Sequence, residues 1–268
     1  MAQNIPTIRQ SFQTALPPYP NCGDLSPSVS ASGQSTLATD APKFAQNVQS
    51  NIWTTACQTL FTGIAPNNTM IDVERIATEN AFYHQSEGDV VRAAALYLLH
   101  PVNQALSAHN MISGTYRCQS EFTKDRIRSD ITYYKNIGQP NHRAFAVVEF
   151  KKRCSIVPGE FSRAVKFNQA PNQAQINSTV TLAYQQPDFT FFPGNSKILL
   201  KQAASYAVAH VVQYVALFDY DNLVLVRFNQ LGGGAVGDYC EMSSIPVLNS
   251  TTVRQALAGF LYDAYNHV

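Results

Sequence analysis

Between Arg128 and Lys152 the chain abandons helical spacing for two strand-favouring runs, and this stretch most restricts the folds open to it. Arg128–Tyr134 carries Ile131, Thr132 and Tyr133; Ala144–Lys152 carries Phe145, Val147, Val148 and Phe150. Such residues suit a pleated, half-buried surface. The connector Lys135–His142 is rich in turn formers (Asn136, Gly138, Pro140, Asn141). Two runs joined this way pair most simply as an antiparallel hairpin, and the loosely alternating Tyr116–Phe122 extends it to a three-stranded meander.

Helical spacing brackets the sheet. Phe44, Val48, Ile52, Trp53, Leu60 and Phe61 fall near one face and predict a helix beginning at Phe44. A second helix is expected around Ile71–Phe82. A third starts at Ser86, a good N-cap, and runs to Leu99, with Pro101 set to stop or kink it. Further on, Ser196 caps a helix from Lys197 to about Val212, then Tyr214–Phe218 and Leu223–Phe228 read as strands joined by a turn at Asp219–Asn222. Gly232–Gly234 lacks the Gly-Lys-Ser/Thr ending of a phosphate-binding loop and reads as a flexible connector. Ser250 or Thr251 opens a final amphipathic helix. The class is mixed α/β, a central sheet with helices before and after it. Residues 1–42, with six of the 14 prolines and no lasting apolar period, read as a disordered tail outside a domain covering 43–268.

Composition excludes other classes. At 45% hydrophobic and 14% charged, the chain is neither wholly disordered nor a coiled-coil rod. It holds no apolar run of the roughly 18 residues a membrane span needs, and its start lacks the pattern of a secretory signal. The expectation is an intracellular protein of nucleus or cytoplasm, without a membrane partner. The five cysteines are scattered, which gives no support to a zinc cluster and predicts mostly buried, reduced thiols. Charge is uneven: Arg117–Lys166 holds 11 of the 19 basic residues against five acidic ones. A local basic segment in a mildly acidic body suits an anionic partner met at one place.

Side-chain alternation assembles a candidate site at one sheet end. Residues two apart on a strand share a face, so Glu149 and Lys151 project together, and hairpin pairing brings Asp130 against Glu149. Two carboxylates and a lysine there can hold a divalent cation and steady an anion. The plainer reading is a surface salt bridge, with Lys152 and Arg153 facing solvent. Gln202 and Tyr206, four residues apart, share one helix face, and Glu87 lies in the first turn of the Ser86-capped helix. Phe189, Phe191 and Phe192, beside Pro187 and Pro193, either stack on bases or belong to the core.

In this order, Glu87, Asp130, Glu149-Phe150-Lys151 and Gln202-x-x-x-Tyr206 resemble the PD-(D/E)XK nuclease superfamily. The last element is similar to its RecB-like branch, and the wording around Phe145–Lys152 and Tyr214–Asp219 is similar to fungal members. The resemblance covers about residues 86–228, with Ser129 standing where the superfamily loosely keeps a proline. It implies a restriction-endonuclease-like αβββαβ core with extra helices at both ends. It also implies hydrolysis of phosphodiester bonds in nucleic acid, DNA before RNA, with Mg²⁺ or Mn²⁺. By the same resemblance, Asp130, Glu149 and the Phe150 carbonyl hold the metal, and Lys151 orients or deprotonates the attacking water. Glu87 acts on the metal shell; Gln202 and Tyr206 position the phosphodiester or support the ligands. The basic segment (Lys124, Arg126, Arg128, Lys152, Arg153 and Lys166) tracks phosphates. The alternative is a catalytically silent relative that binds nucleic acid or a protein, including an effector delivered into another cell.

Overall fold

A computed structural model describes residues 7–18, 39–68, 86–124 and 127–267, without the side chains of Phe122 and Lys124. In chain order the elements are α1 (Ile8–Ser11), β1 (Phe44–Asn47), α2 (Asn51–Thr62), α3 (Glu87–Ala94), α4 (His100–Ala108), β2 (Tyr116–Lys124), β3 (Ile127–Lys135) and β4 (Arg143–Phe150). Then follow α5 (Pro158–Ala164), β5 (Val165–Phe167), α6 (Gln173–Tyr184), α7 (Gly194–His210), β6 (Tyr214–Phe218) and β7 (Asn222–Phe228). The short β8 (Leu231–Gly232) and β9 (Ala235–Val236) precede β10 (Tyr239–Pro246) and α8 (Val253–His267). The helix expected around Ile71–Phe82 lies outside the described residues.

The protein is α/β, with a mixed eight-stranded sheet ordered β2-β3-β4-β6-β7-β10-β1-β5. The expected meander β2-β3-β4 is antiparallel, β4 runs parallel to β6, and β6 turns antiparallel into β7. Register between β3 and β4 sets Ile131 opposite Val148 and Thr132 opposite Val147. Continued by one residue, it brings Asp130 to Glu149.

Helices cover both faces. On one, α2, α3, α4 and α8 enclose Trp53, Tyr133, Phe145, Phe150, Phe218 and Phe260. On the other, α5 and α7 enclose Phe161, Phe192, Leu199, Leu200, Val215 and Val224. Helices α2 and α8 approach closely because residue 259 is glycine; a Cβ there would overlap the Trp53 carbonyl. The Trp53 and Phe260 rings meet edge to face at 5.1 Å.

Ser86 caps α3 as expected, in a reciprocal box with Asp89: Ser86 Oγ accepts from the Asp89 N–H at 3.2 Å and Asp89 Oδ2 accepts from the Ser86 N–H at 2.9 Å. Pro101 does not end the helix. A π-turn over Ala95–Leu99 widens the backbone just before it, which accommodates the missing N–H and the ring, and α4 continues.

Three expectations are corrected. Phe44 opens a strand, not a helix: β1 pairs in parallel with β10 on one side and β5 on the other, and helix begins only at Asn51. Gly233 and Gly234, both at positive φ, turn a small β8–β9 hairpin in place of a flexible connector. The first 42 residues are not all tail, since Ile8, Phe12 and Leu16 are buried in the α2/α8 core. The buried Arg254 holds that segment by donating to the carbonyls of Ser11 at 2.6 Å and Thr14 at 3.1 Å, while its Nε takes the Tyr97 carbonyl of the π-turn at 2.7 Å. Of the cysteines, Cys57 and Cys240 are buried, Cys154 is half-buried and Cys118 is exposed. No helix among the described residues is long and apolar enough to cross a membrane.

Candidate active site

After Arg143, strand β4 is apolar until its end, where Glu149 and then Lys151 point to the α7 face of the sheet. β4 ends at Phe150, but the Lys151 N–H donates to the Phe218 carbonyl of β6 at 2.8 Å, which extends the pairing by one residue. Both side chains are buried, Glu149 4% and Lys151 6% exposed.

Buried charges demand partners, and here each has them. Lys151 Nζ lies 2.6 Å from Glu149 Oε1, and the Tyr206 hydroxyl donates to that same oxygen at 2.6 Å. The Asp130 N–H approaches Glu149 Oε2 at 3.3 Å, while Asp130 Oδ2 accepts the Phe150 N–H at 2.7 Å. Helix α3 delivers Glu87 from the other face, with Oε2 3.7 Å from Lys151 Nζ. Gln202, 4% exposed, lies one turn before Tyr206 on α7. The structure therefore brings together Glu87, Asp130, Glu149, Lys151 and Tyr206, with Gln202 on the same helix. Ser129, next to Asp130, shares a buried 2.7 Å hydrogen bond with Thr132.

Electrostatics follow from this crowding. Burial, and then the charge of Glu149, push the Asp130 carboxyl up to about 6. Glu87 is also raised, by burial, against the pull of Lys151. Burial works to lower Lys151, but the charges of Glu149 and Glu87 outweigh it and hold the ammonium above its ordinary range. The Tyr206 hydroxyl is raised by burial and by Glu149, and so remains a donor.

The basic residues do not form one track. Lys152 and Arg128 are exposed, and the charge of Arg128 reaches Asp130 and Glu87. The Lys124 side chain and Arg126 lie outside what is described. Arg153, expected to face solvent, is 9% exposed and grips Asp221 with two bonds of 3.2 and 2.7 Å. Lys166 sits on β5, at the opposite sheet edge from the meander.

Two acidic residues read only as turn formers have a larger part. Asp219, fully buried, accepts N–H bonds from Ile156 at 2.8 Å, Asn222 at 2.8 Å and Asp221 at 3.1 Å. Together with the Arg153–Asp221 pair, it ties residues 153–156, just beyond Lys151, to the β6–β7 hairpin. The Asp-x-Asp-Asn sequence carries a signal for this, because short acidic side chains in turns bond nearby backbone N–H groups.

The donor set admits a small hard cation. Among the described residues no three His, Cys, Asp or Glu side chains converge as a metal cluster, but Mg²⁺ typically uses one or two protein carboxylates and keeps waters. Glu149 accepts three hydrogen bonds, and an ionised carboxylate offers about four lone-pair sites. Asp130, disfavoured as an anion beside Glu149, gains from a positive charge between them. No family model, no curated protein and no solved structure matches this chain.

Proposed function

We propose that the protein is a metal-dependent nuclease that hydrolyses phosphodiester bonds, in DNA before RNA, on a restriction-endonuclease-like core. One observation carries the reading: a buried lysine, bonded to a buried glutamate two residues before it, beside an aspartate in cross-strand register. Clustered buried charges with shifted pKa values are the arrangement that active sites use. The hairpin, the parallel β4–β6 pair and helix α7 also stand in the order the superfamily resemblance implies.

Asp130 and Glu149, with the Phe150 carbonyl, would hold Mg²⁺ or Mn²⁺, which when bound supplies Lewis-acid polarisation of the phosphate and activation of water. The chain's own groups do the rest. Lys151, held beside two carboxylates, would offset negative charge gathering on the phosphoryl oxygens and orient the attacking water. Tyr206 fixes the rotamer of Glu149, and Glu87 holds Lys151 from the solvent side.

The test is incubation of purified protein with plasmid, linear and single-stranded DNA and with RNA, in Mg²⁺, Mn²⁺ or EDTA. Cleavage that needs the divalent ion and is lost in Lys151→Ala is expected. Absence of cleavage on every substrate selects the second reading, a silent module that binds nucleic acid or protein. That reading draws on the Glu149–Lys151–Tyr206 triad, whose buried polar groups satisfy one another.

A further inference from the structure

Away from the carboxylates, the loop between α6 and α7 holds an aromatic side chain out in water under strain. Phe189 is 57% exposed and adopts φ 54°, a left-handed conformation that bulky residues rarely accept. The loop around it is nonetheless fastened. The Phe189 N–H donates to the Gln186 carbonyl at 3.0 Å, Thr190 Oγ1 donates to the Pro42 carbonyl at 2.7 Å, and the Phe191 N–H donates to the Lys43 carbonyl at 2.8 Å. A phenylalanine could relieve both its exposure and its strain if the loop relaxed, yet these bonds hold it in place.

Its neighbours alternate aromatic and basic. Tyr184, 55% exposed, lies 6.4 Å from the Phe189 ring, and Lys43 Nζ stands 4.8 Å over the Tyr184 ring. Lys166 Nζ stands 3.9 Å over Phe191, which joins the fastened loop to β5. The nearby Asp188 carboxylate is neutralised by Lys197 at 2.6 Å, so it does not repel an anion. Protein interfaces favour aromatic rings but are depleted in lysine, and both cations here are lysines. A chain of bases joined by phosphates uses both, stacking on the rings and pairing its backbone with the ammonium groups.

We propose that Tyr184, Phe189 and Phe191, with Lys43 and Lys166, form a stacking platform for single-stranded nucleic acid. The choice of ligand rests on the nuclease reading, while the platform itself lies on a different part of the chain.

The experiment titrates a fluorescent single-stranded DNA oligonucleotide with wild type, Phe189→Gly, Tyr184→Ala and Met111→Ala, by anisotropy in EDTA, so that binding is read without cleavage. Glycine is the residue that position's backbone prefers, so Phe189→Gly should keep or raise the melting temperature while weakening binding about ten-fold, the scale of one lost base stack. Tyr184→Ala should weaken it similarly, and Met111→Ala, which trims an exposed apolar side chain far from the platform, should bind as wild type does. Equal affinity of wild type and Phe189→Gly overturns the proposal, as does a wild type that leaves the strand unbound. A protein that cuts duplex DNA without holding the single strand keeps the nuclease and loses the platform. One that holds the strand through Phe189 and cuts nothing keeps the platform and loses the nuclease.

Discussion

The Tyr206 hydroxyl donates to Glu149 Oε1 at 2.6 Å, the same oxygen that receives the Lys151 ammonium. A helix on one face of the sheet thus fixes the rotamer of a strand residue whose charge the next turn of chain neutralises. Tyr206→Phe deletes only the hydroxyl and leaves a buried carboxylate one donor short. It should cost about 1.5–3 kcal/mol, the scale of a hydrogen bond to a charged group, in urea unfolding. Cleavage per folded molecule should fall as well, because Glu149 can then rotate.

Lys151 and Lys152 are adjacent and equal in charge but opposite in surroundings, one buried and one exposed. Lys151→Ala strands Glu149 as an unpaired buried charge and should destabilise by about 3–5 kcal/mol. Cleavage normalised to the folded fraction should fall about 10²-fold, as for loss of one transition-state donor. Lys152→Ala should leave stability within about 0.5 kcal/mol and change only affinity for nucleic acid. Equal losses in both variants would show that the strand register gives Lys151 no special role.

Where pattern and contact agree, the site was legible in the sequence. Period-two alternation through Asp130 and Glu149 survives because the strands pair in that register, and the four-residue spacing of Gln202 and Tyr206 survives because α7 is continuous. The expectation that Arg153 faces solvent fails because β4 ends at Phe150, and Cys154 at φ 61° turns the chain so that Arg153 folds back onto Asp221. Strand β1 was hidden among residues at helical spacing, since a four-residue strand is defined by partners far away in sequence. The buried triplet Ile8, Phe12 and Leu16 does recur every four residues, but the prolines from Pro17 onward obscure it.

The pH dependence of stability carries the signature of Asp130. Its folded carboxyl sits at about 6 against an ordinary 3.8, raised by burial and then by Glu149. The folded protein therefore binds that proton more tightly than the unfolded chain does. This contribution is fully present below pH about 4 and is lost as pH rises through about 6, at about 1.4 kcal/mol per unit. Asp219, pushed to about 7 by burial against its backbone N–H bonds, adds a loss of the same sign over a wider window. The stability difference between Asp130→Asn and wild type, followed by urea unfolding from pH 4 to 7, should shift in favour of the variant. A flat difference would show that Asp130 ionises at its ordinary value.

The segment around α1 can be tested directly. Phe12 is fully buried and its ring meets Phe61 edge to face at 5.2 Å. Phe12→Ala should cost about 3–5 kcal/mol in thermal or urea unfolding. A change under about 0.5 kcal/mol would return residues 7–18 to the status of a tail.

The bond from Arg254 to Ser11 closes a span of 243 residues. A ribosome adds roughly 5–20 residues per second, so the α1 segment emerges roughly 10–50 s before α8 exists to receive it. During that time Ile8, Phe12 and Leu16 have no apolar surface of α8 to cover them, and β1 waits equally for β10. The core on that face therefore closes only after α8 has been made. The nascent chain meanwhile displays a spaced row of apolar side chains, the kind of stretch that a chaperone waiting at the exit tunnel holds until the closing helix arrives.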